Sequence, residues 1–306
     1  MARIDEEFGL TQQKIVMDKN DLFDLAGNPA FISGIYNYCD RWCERCPFTS
    51  RCLLYATEQA DPDLDDPEIR DIRNEKFWRK LQTIFASTAR MIAEHAAEAG
   101  IDLDAVDATE EMAAHEREMD EAKQNELSQA AKHYAVMVED WFKDEFATEE
   151  DVHTDTTVTS ESGDEDWTVR DAVEVIRWYQ FFIAAKIFRA LTGARHIDEQ
   201  PDEEDDLFGA DFSAEDDEDE DFDYDAVVAK SARMDANGSA KVALIALDRS
   251  IGAWRTLQVL LKEKAETIMP MLMELDHLRR TAELRFPKAR DFIRPGFDEE
   301  FSEFVS

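Results

Sequence analysis

"WTVRDAVEVIRWYQFFIAAKIFRALTG", residues 167–193, carries apolar side chains on most faces of a helix and holds no proline, and no glycine before its last residue. A strand would alternate apolar and polar residues, and this run does not. A helix apolar nearly all round asks to be surrounded, so the stretch predicts a helix at the centre of a bundle that stops at Gly193. Lys186 and Arg189 interrupt it and Arg177 precedes its most apolar part, which leaves it too short and too charged to span a bilayer.

Helical signals continue on both sides. Downstream, residues 225–284 read as one or two long helices, with a break expected at Asn237-Gly238 and a bend near Pro270. Met269, Met271 and Met273 are expected to fill core gaps there. The tail beyond Pro287 reads as irregular. Upstream lie a polar loop over residues 147–166 and a helix from about Ala108 to Phe146, whose charged first half should sit at the surface. Before it, Asp66-Pro67 opens a helix that runs to Gly100 with Phe77, Leu81, Ile84, Phe85, Met91 and Ile92 in a stripe. Gly and Pro are sparse and no alternating Val/Thr runs appear, so almost no sheet is expected. The fold class that follows is mostly α: an antiparallel helical bundle with an N-terminal four-cysteine helix-turn and a long acidic insert. The organisation reads as residues 1–60 for the cysteine segment, 61–197 for the first part of the bundle, 198–225 for the insert, and 226–306 for the second part with its tail.

Charge bounds the partners. The chain of 306 residues carries 71 acidic and 34 basic residues, a formal charge of -37. That field opposes nucleic-acid phosphates and anionic lipid and favours a basic protein. The insert 198–225 holds seventeen of the acidic residues and no Lys or Arg, and is expected to stay unfolded by itself. Leu207, Phe208, Phe212, Phe222 and Tyr224 interrupt it, which suits a segment that orders on a basic partner. The most basic stretch of the chain itself, with Arg279, Arg280, Arg285, Lys288, Arg290 and Arg294, is the internal alternative. The N-terminus shows no signal pattern, so a cytoplasmic location is expected.

All four cysteines lie in "CDRWCERCPFTSRC", at Cys39, Cys43, Cys46 and Cys52. In a reducing compartment such a cluster points to metal binding before disulfides. Asn28-Pro29 predicts a helix start, and a helix running to about Cys46 would place Cys39, Cys43 and Cys46 on one narrow stripe at about 100° per residue. Pro47 would end it and bring Cys52 back as the fourth ligand. Arg41, Arg45 and Arg51 would favour thiolates, and Tyr36, Tyr38, Trp42 and Phe48 would shield the centre or simply pack. Two centres remain open on this reading, a [4Fe-4S] cluster and zinc, beside free, redox-switching or disulfide-bonded thiols. The absence of paired knuckles separated by a long gap speaks against the usual structural zinc pattern.

The run from Cys43 to Cys52, C-x2-C-P-F-x3-C, resembles the end of the [4Fe-4S] loop of DNA glycosylases of the endonuclease III and adenine glycosylase kind. It is also similar to part of the auxiliary-cluster segments of some radical-SAM maturases. The resemblance implies a cluster held by Cys43, Cys46 and Cys52, and the clustering of the cysteines offers Cys39 as the fourth ligand. It covers about ten residues, the first interval is shorter here than in the glycosylases, and their hairpin and catalytic segment are absent, so DNA repair is not implied. Cys39-x3-Cys43-x2-Cys46 matches the radical-SAM core spacing too, but Arg45 stands where an aromatic residue is usual and the strand-helix repeats of a barrel are missing.

Other chemistry is thinly marked. Glu274-x-x-His277, with Glu174, Glu126 and His133, offers one of the two Glu-x-x-His motifs of a helical di-iron centre. No G-x-S-x-G, phosphate loop or dinucleotide fingerprint occurs. The expected role is a structural, sensing or interaction protein built on a metal centre, with a zinc-stabilised interaction protein, an electron-transfer protein and a di-iron oxidase as alternatives.

Overall fold

The computed structural model of the protein describes residues 27–146, 157–158, 167–194, 197 and 224–298. Most of the expected polar loop and of the acidic insert lies outside the described residues. The chain is all-α in class and divides into two units, Met1–Glu110 with Pro295–Ser306, and Glu111–Arg294.

In the first unit, three short 3-10 turns, Ile35–Tyr38, Cys43–Arg45 and Thr49–Arg51, precede helix α1 (Leu53–Ala60). The expected helix from Pro29 to Cys46 does not form. Asn28 does cap, its Oδ1 accepting from the Ala30 N–H at 2.9 Å, but only a turn follows. Gly34 at φ 70° and Arg41 at φ 60° are left-handed, and Cys39 is extended, each incompatible with a continuing helix. Asp40 adds an Asx turn, accepting from the Trp42 N–H at 3.2 Å.

The helix expected from Pro67 to Gly100 is two helices, α2 (Pro67–Arg70) and α3 (Glu75–Glu98). Asp71 breaks it: its carboxylate accepts from both the backbone N–H and the guanidinium of Arg73 at 3.0 Å, and Asn74 then caps α3 afresh. Gly100, at φ 71°, ends α3 as expected in a Schellman closure, with Ile101 N–H on the Ala96 carbonyl at 2.8 Å. The apolar stripe of α3 is present but open, with Ile84, Phe85 and Ile92 exposed.

In the second unit, the helix expected from Ala108 to Phe146 is divided by Asn125 into α4 (Thr109–Gln124), whose surface is largely exposed as expected, and α5 (Glu126–Glu145). Asn125 Oδ1 accepts from the Leu127 N–H at 2.9 Å and caps α5. Among the described residues the sole sheet is an antiparallel pair of two-residue strands, β1 (Thr157–Val158) and β2 (Trp167–Thr168). Thr168 and Asp171 then form a capping box that starts α6 (Val169–Thr192). The remaining helices are α7 (Tyr224–Leu260) and α8 (Ala265–Arg285).

Helix α6 packs on α5 and α7, and α8 packs on α7 and α5. The longest enclosed run lies in α7. From Ala236 to Leu244 every residue of α7 but Lys241 is buried, and Ala236, Ser239, Ala240 and Ala243 let neighbours approach closely. Helix α6 keeps an open side where Phe181 is 64% exposed. Asn237-Gly238 does not break α7, because both lie in its buried stretch where packing outweighs their weak propensity. The interruption comes at Leu261–Lys264, where the Lys264 ammonium bonds the Glu145 carboxylate at 2.6 Å. Gly193 ends α6 at φ -90°, not left-handed. It is glycine for space: a Cβ there would lie 2.7 Å from the Ala232 carbonyl oxygen. Of the three methionines expected in the core, only Met271 is buried. Positions 269, 271 and 273 span about 400° of helix and cannot share one face.

Tyr134, Tyr179, Trp254, Leu244, Leu247 and Leu257 are fully buried. The Trp254 indole N–H donates to the Tyr134 hydroxyl at 3.0 Å, and the Trp141 indole donates to Thr267 Oγ1 at 3.0 Å. Trp141 meets Trp254 edge to face at 4.8 Å. Burial holds the Tyr134 phenol well above its ordinary pKa, so it stays neutral.

Candidate metal centre

The four cysteines, read as ligands from spacing, line one small cavity of about 20 Å³. The route is a chain of turns rather than a helix face. Cys39 ends the first 3-10 turn, Arg41 in its left-handed conformation reverses the backbone, and Cys43 opens the second turn. Cys46 closes that turn through its N–H on the Cys43 carbonyl at 3.2 Å. Pro47 has no N–H, so the first donor after Cys46 is Phe48, whose N–H points at Cys46 Sγ at 3.4 Å. Such a bond stabilises a thiolate more than a thiol. Cys52 follows the third turn and sits at the N-cap of α1, its carbonyl accepting from Ala56 at 3.0 Å. A bond from the Ile32 N–H to the Arg51 carbonyl at 3.0 Å ties both ends of the segment together.

None of the four is disulfide-bonded and all are half-buried; the Cys39 thiol donates to the Tyr36 carbonyl at 3.5 Å. Burial pushes the Cys43 thiol above its ordinary pKa, the Arg41 guanidinium pulls it back, and Glu58 with the Cys39 and Cys46 thiols adds to the rise. Arg41 is itself held by Glu58 at 2.7 Å, and Arg45 stacks over the Trp42 ring at 4.1 Å. Arg41 therefore lines the thiol cavity while its guanidinium is also shared with Glu58. Trp42 is 6% exposed and Ile35 is 2% exposed. Tyr36, Thr49, Tyr55 and Phe297 complete the wall. Tyr36 and Trp42 were legible as shielding aromatics beside the cysteines; Phe297 was not, lying far along the chain with no local signal.

The donor chemistry suits a thiophilic metal: four sulfurs, one with a backbone N–H bond, on a common wall. Among the described residues, however, no group of three or more His, Cys, Asp or Glu side chains is already drawn together in metal-holding geometry.

The di-iron alternative fails on direction. His133 Nδ1 lies 3.7 Å from Glu274 Oε1, but His133, His277, Glu174 and Glu126 are exposed, and the buried side chains of α5, α6, α7 and α8 are mostly apolar and aromatic. A helical di-iron centre needs these ligands facing inward.

The basic stretch near the C-terminus is engaged within its own unit. Arg280 binds Asp276 at 2.8 Å, Arg279 binds Asp276 at 2.7 Å, and Arg290 binds Asp248 at 2.6 Å and Glu283 at 2.7 Å. Among the described residues no helix is long and apolar enough to cross a membrane. No protein family, curated protein or solved structure matches this chain.

Proposed function

We propose that Cys39, Cys43, Cys46 and Cys52 bind one metal centre, a [4Fe-4S] cluster, in a protein whose second unit is a helical bundle and whose role is structural, sensing or interactive. The observation that carries this reading is that the chain's only cysteines, separated by a left-handed arginine and a proline, all reach the wall of one cavity. The energetics of the segment support it. Over residues 27–60 only Ile35 and Trp42 are buried and most other residues are half-buried, so the stretch has a small apolar margin against its ordering entropy. Metal binding would add folding free energy to that margin. A cluster, when bound, adds one-electron redox chemistry to that structural role. The tyrosine, tryptophan and phenylalanine side chains would limit water around it, and the Phe48 N–H would stabilise the Cys46 thiolate.

A second reading, zinc, is favoured by the size of the cavity. About 20 Å³ is close to the room of one water-sized sphere, which matches a single ion more closely than a cubane. The spacing supports the cluster, since the cysteine pairs are not separated as in structural zinc sites. Visible absorption of anaerobically purified protein, taken for the wild type and for serine substitutions at each of the four cysteines, tests the proposal. Broad absorption lost in all four variants is expected. Retention in any one would remove that residue from the ligand set. The acidic surface is proposed to engage a basic protein.

A further inference from the structure

The C-terminal stretch 295–298 is folded against the cysteine segment. Gly296, at φ 74°, brings its backbone so close that an added Cβ would stand 2.8 Å from Ile32 Cδ1 and 3.1 Å from Ile35 Cδ1. Only glycine meets both demands, a left-handed backbone and no side chain. The next residue, Phe297, lies edge to face on Phe48 at 5.1 Å and forms part of the wall of the thiol cavity. Phe48 is the residue whose N–H bonds Cys46 Sγ, so Phe297 braces the turn that presents a ligand. Two segments remote in sequence thus meet at one cavity, and the later one contributes no donor atom, only an apolar part of its wall. Covering sulfur ligands with an apolar ring excludes water and slows the approach of anything that attacks them.

We propose that residues 295–298 are a plug over the four-thiol cavity, with Phe297 as the stopper and Gly296 as the position that lets it seat, and that lifting this plug sets how fast the centre exchanges with solution. This rests on the reading of the cavity as a metal centre for its biological meaning, but not for its geometry.

The test uses the full chain and two variants, Phe297→Ala and Gly296→Val, with far-UV circular dichroism as the check that both remain folded. In metal-free protein, the rate of thiol reaction with an aromatic disulfide reagent reads the plug directly. The expected result is about tenfold faster labelling in both variants, equivalent to about 1.4 kcal/mol and within what an edge-to-face aromatic pair and its buried area hold. In metal-loaded protein, metal release to a chelator should accelerate similarly while the amount of metal bound per chain stays unchanged. Labelling rates within twofold of wild type in both variants would overturn the plug. If wild-type protein carries no metal, the proposed function fails, while the thiol-labelling rates still decide the plug.

Discussion

Replacing Tyr134 with phenylalanine tests one buried hydroxyl, which meets the Trp254 indole and the Ser250 side chain. The Tyr134 hydroxyl receives the Trp254 indole N–H at 3.0 Å, and both of these aromatic side chains are fully buried between α5 and α7. Phenylalanine keeps the ring and removes the acceptor, so the indole N–H is left without a partner in a place water does not reach. An orphaned buried donor costs about 1–3 kcal/mol, and a middle value of about 2 kcal/mol corresponds to a fall in Tm of about 4–8 °C for a unit of this size. Urea unfolding followed by far-UV circular dichroism measures it. A Trp254→Phe partner completes a double-mutant cycle, in which the two side chains should couple by roughly 0.5–3 kcal/mol. A loss for Tyr134→Phe below about 0.5 kcal/mol, with no coupling, would refute the assignment of this bond as a structural tie.

Other outcomes follow from single observations. Gly193→Ala sets a methyl group 2.7 Å from the Ala232 carbonyl oxygen and should destabilise by about 1–3 kcal/mol, measurable in the same denaturation. Were the variant as stable as wild type, the close approach of α6 and α7 would be misplaced. The raised pKa of Cys43 gives a sign for pH. The folded metal-free form holds its proton more tightly than the unfolded form, so its contribution is present below the ordinary thiol pKa and lost as pH rises through the raised value. Metal binding runs the other way, since it displaces thiol protons, and chelator competition should show affinity increasing from about pH 6.5 to 8.5. A flat profile would contradict thiol protons being displaced. Deleting residues 198–225 should leave the chemical labelling of Arg279, Arg280 and Arg290 unchanged, because Asp276, Asp248 and Glu283 already hold them. Increased labelling would show that the insert covers them.

Periodicity carried the helix class well because it reports which residues want burial. The run from residue 167 gave α6 with its end at Gly193, and Gly100 closed α3 where expected. What periodicity did not carry was local competition by short polar side chains: Asp40, Asp71 and Asn125 each turn the chain through their own hydrogen bonds. Propensity erred the other way at Asn237-Gly238, where enclosure by neighbouring helices keeps α7 continuous. For the candidate site, the clustering of the four cysteines was legible from their positions in the sequence. Their arrangement was not, since it depends on the left-handed Arg41, a conformation no spacing rule announces. Phe297 was invisible for a different reason, its partner Phe48 being remote in sequence.

The most direct test of the account is metal and acid-labile sulfide content per chain, measured on protein purified without oxygen. The account predicts about four irons and four sulfides, lost together in Cys46→Ser. Zinc without sulfide would contradict the cluster and leave a structural clamp. Protein that binds neither, with all four thiols reactive, would contradict the metal centre itself.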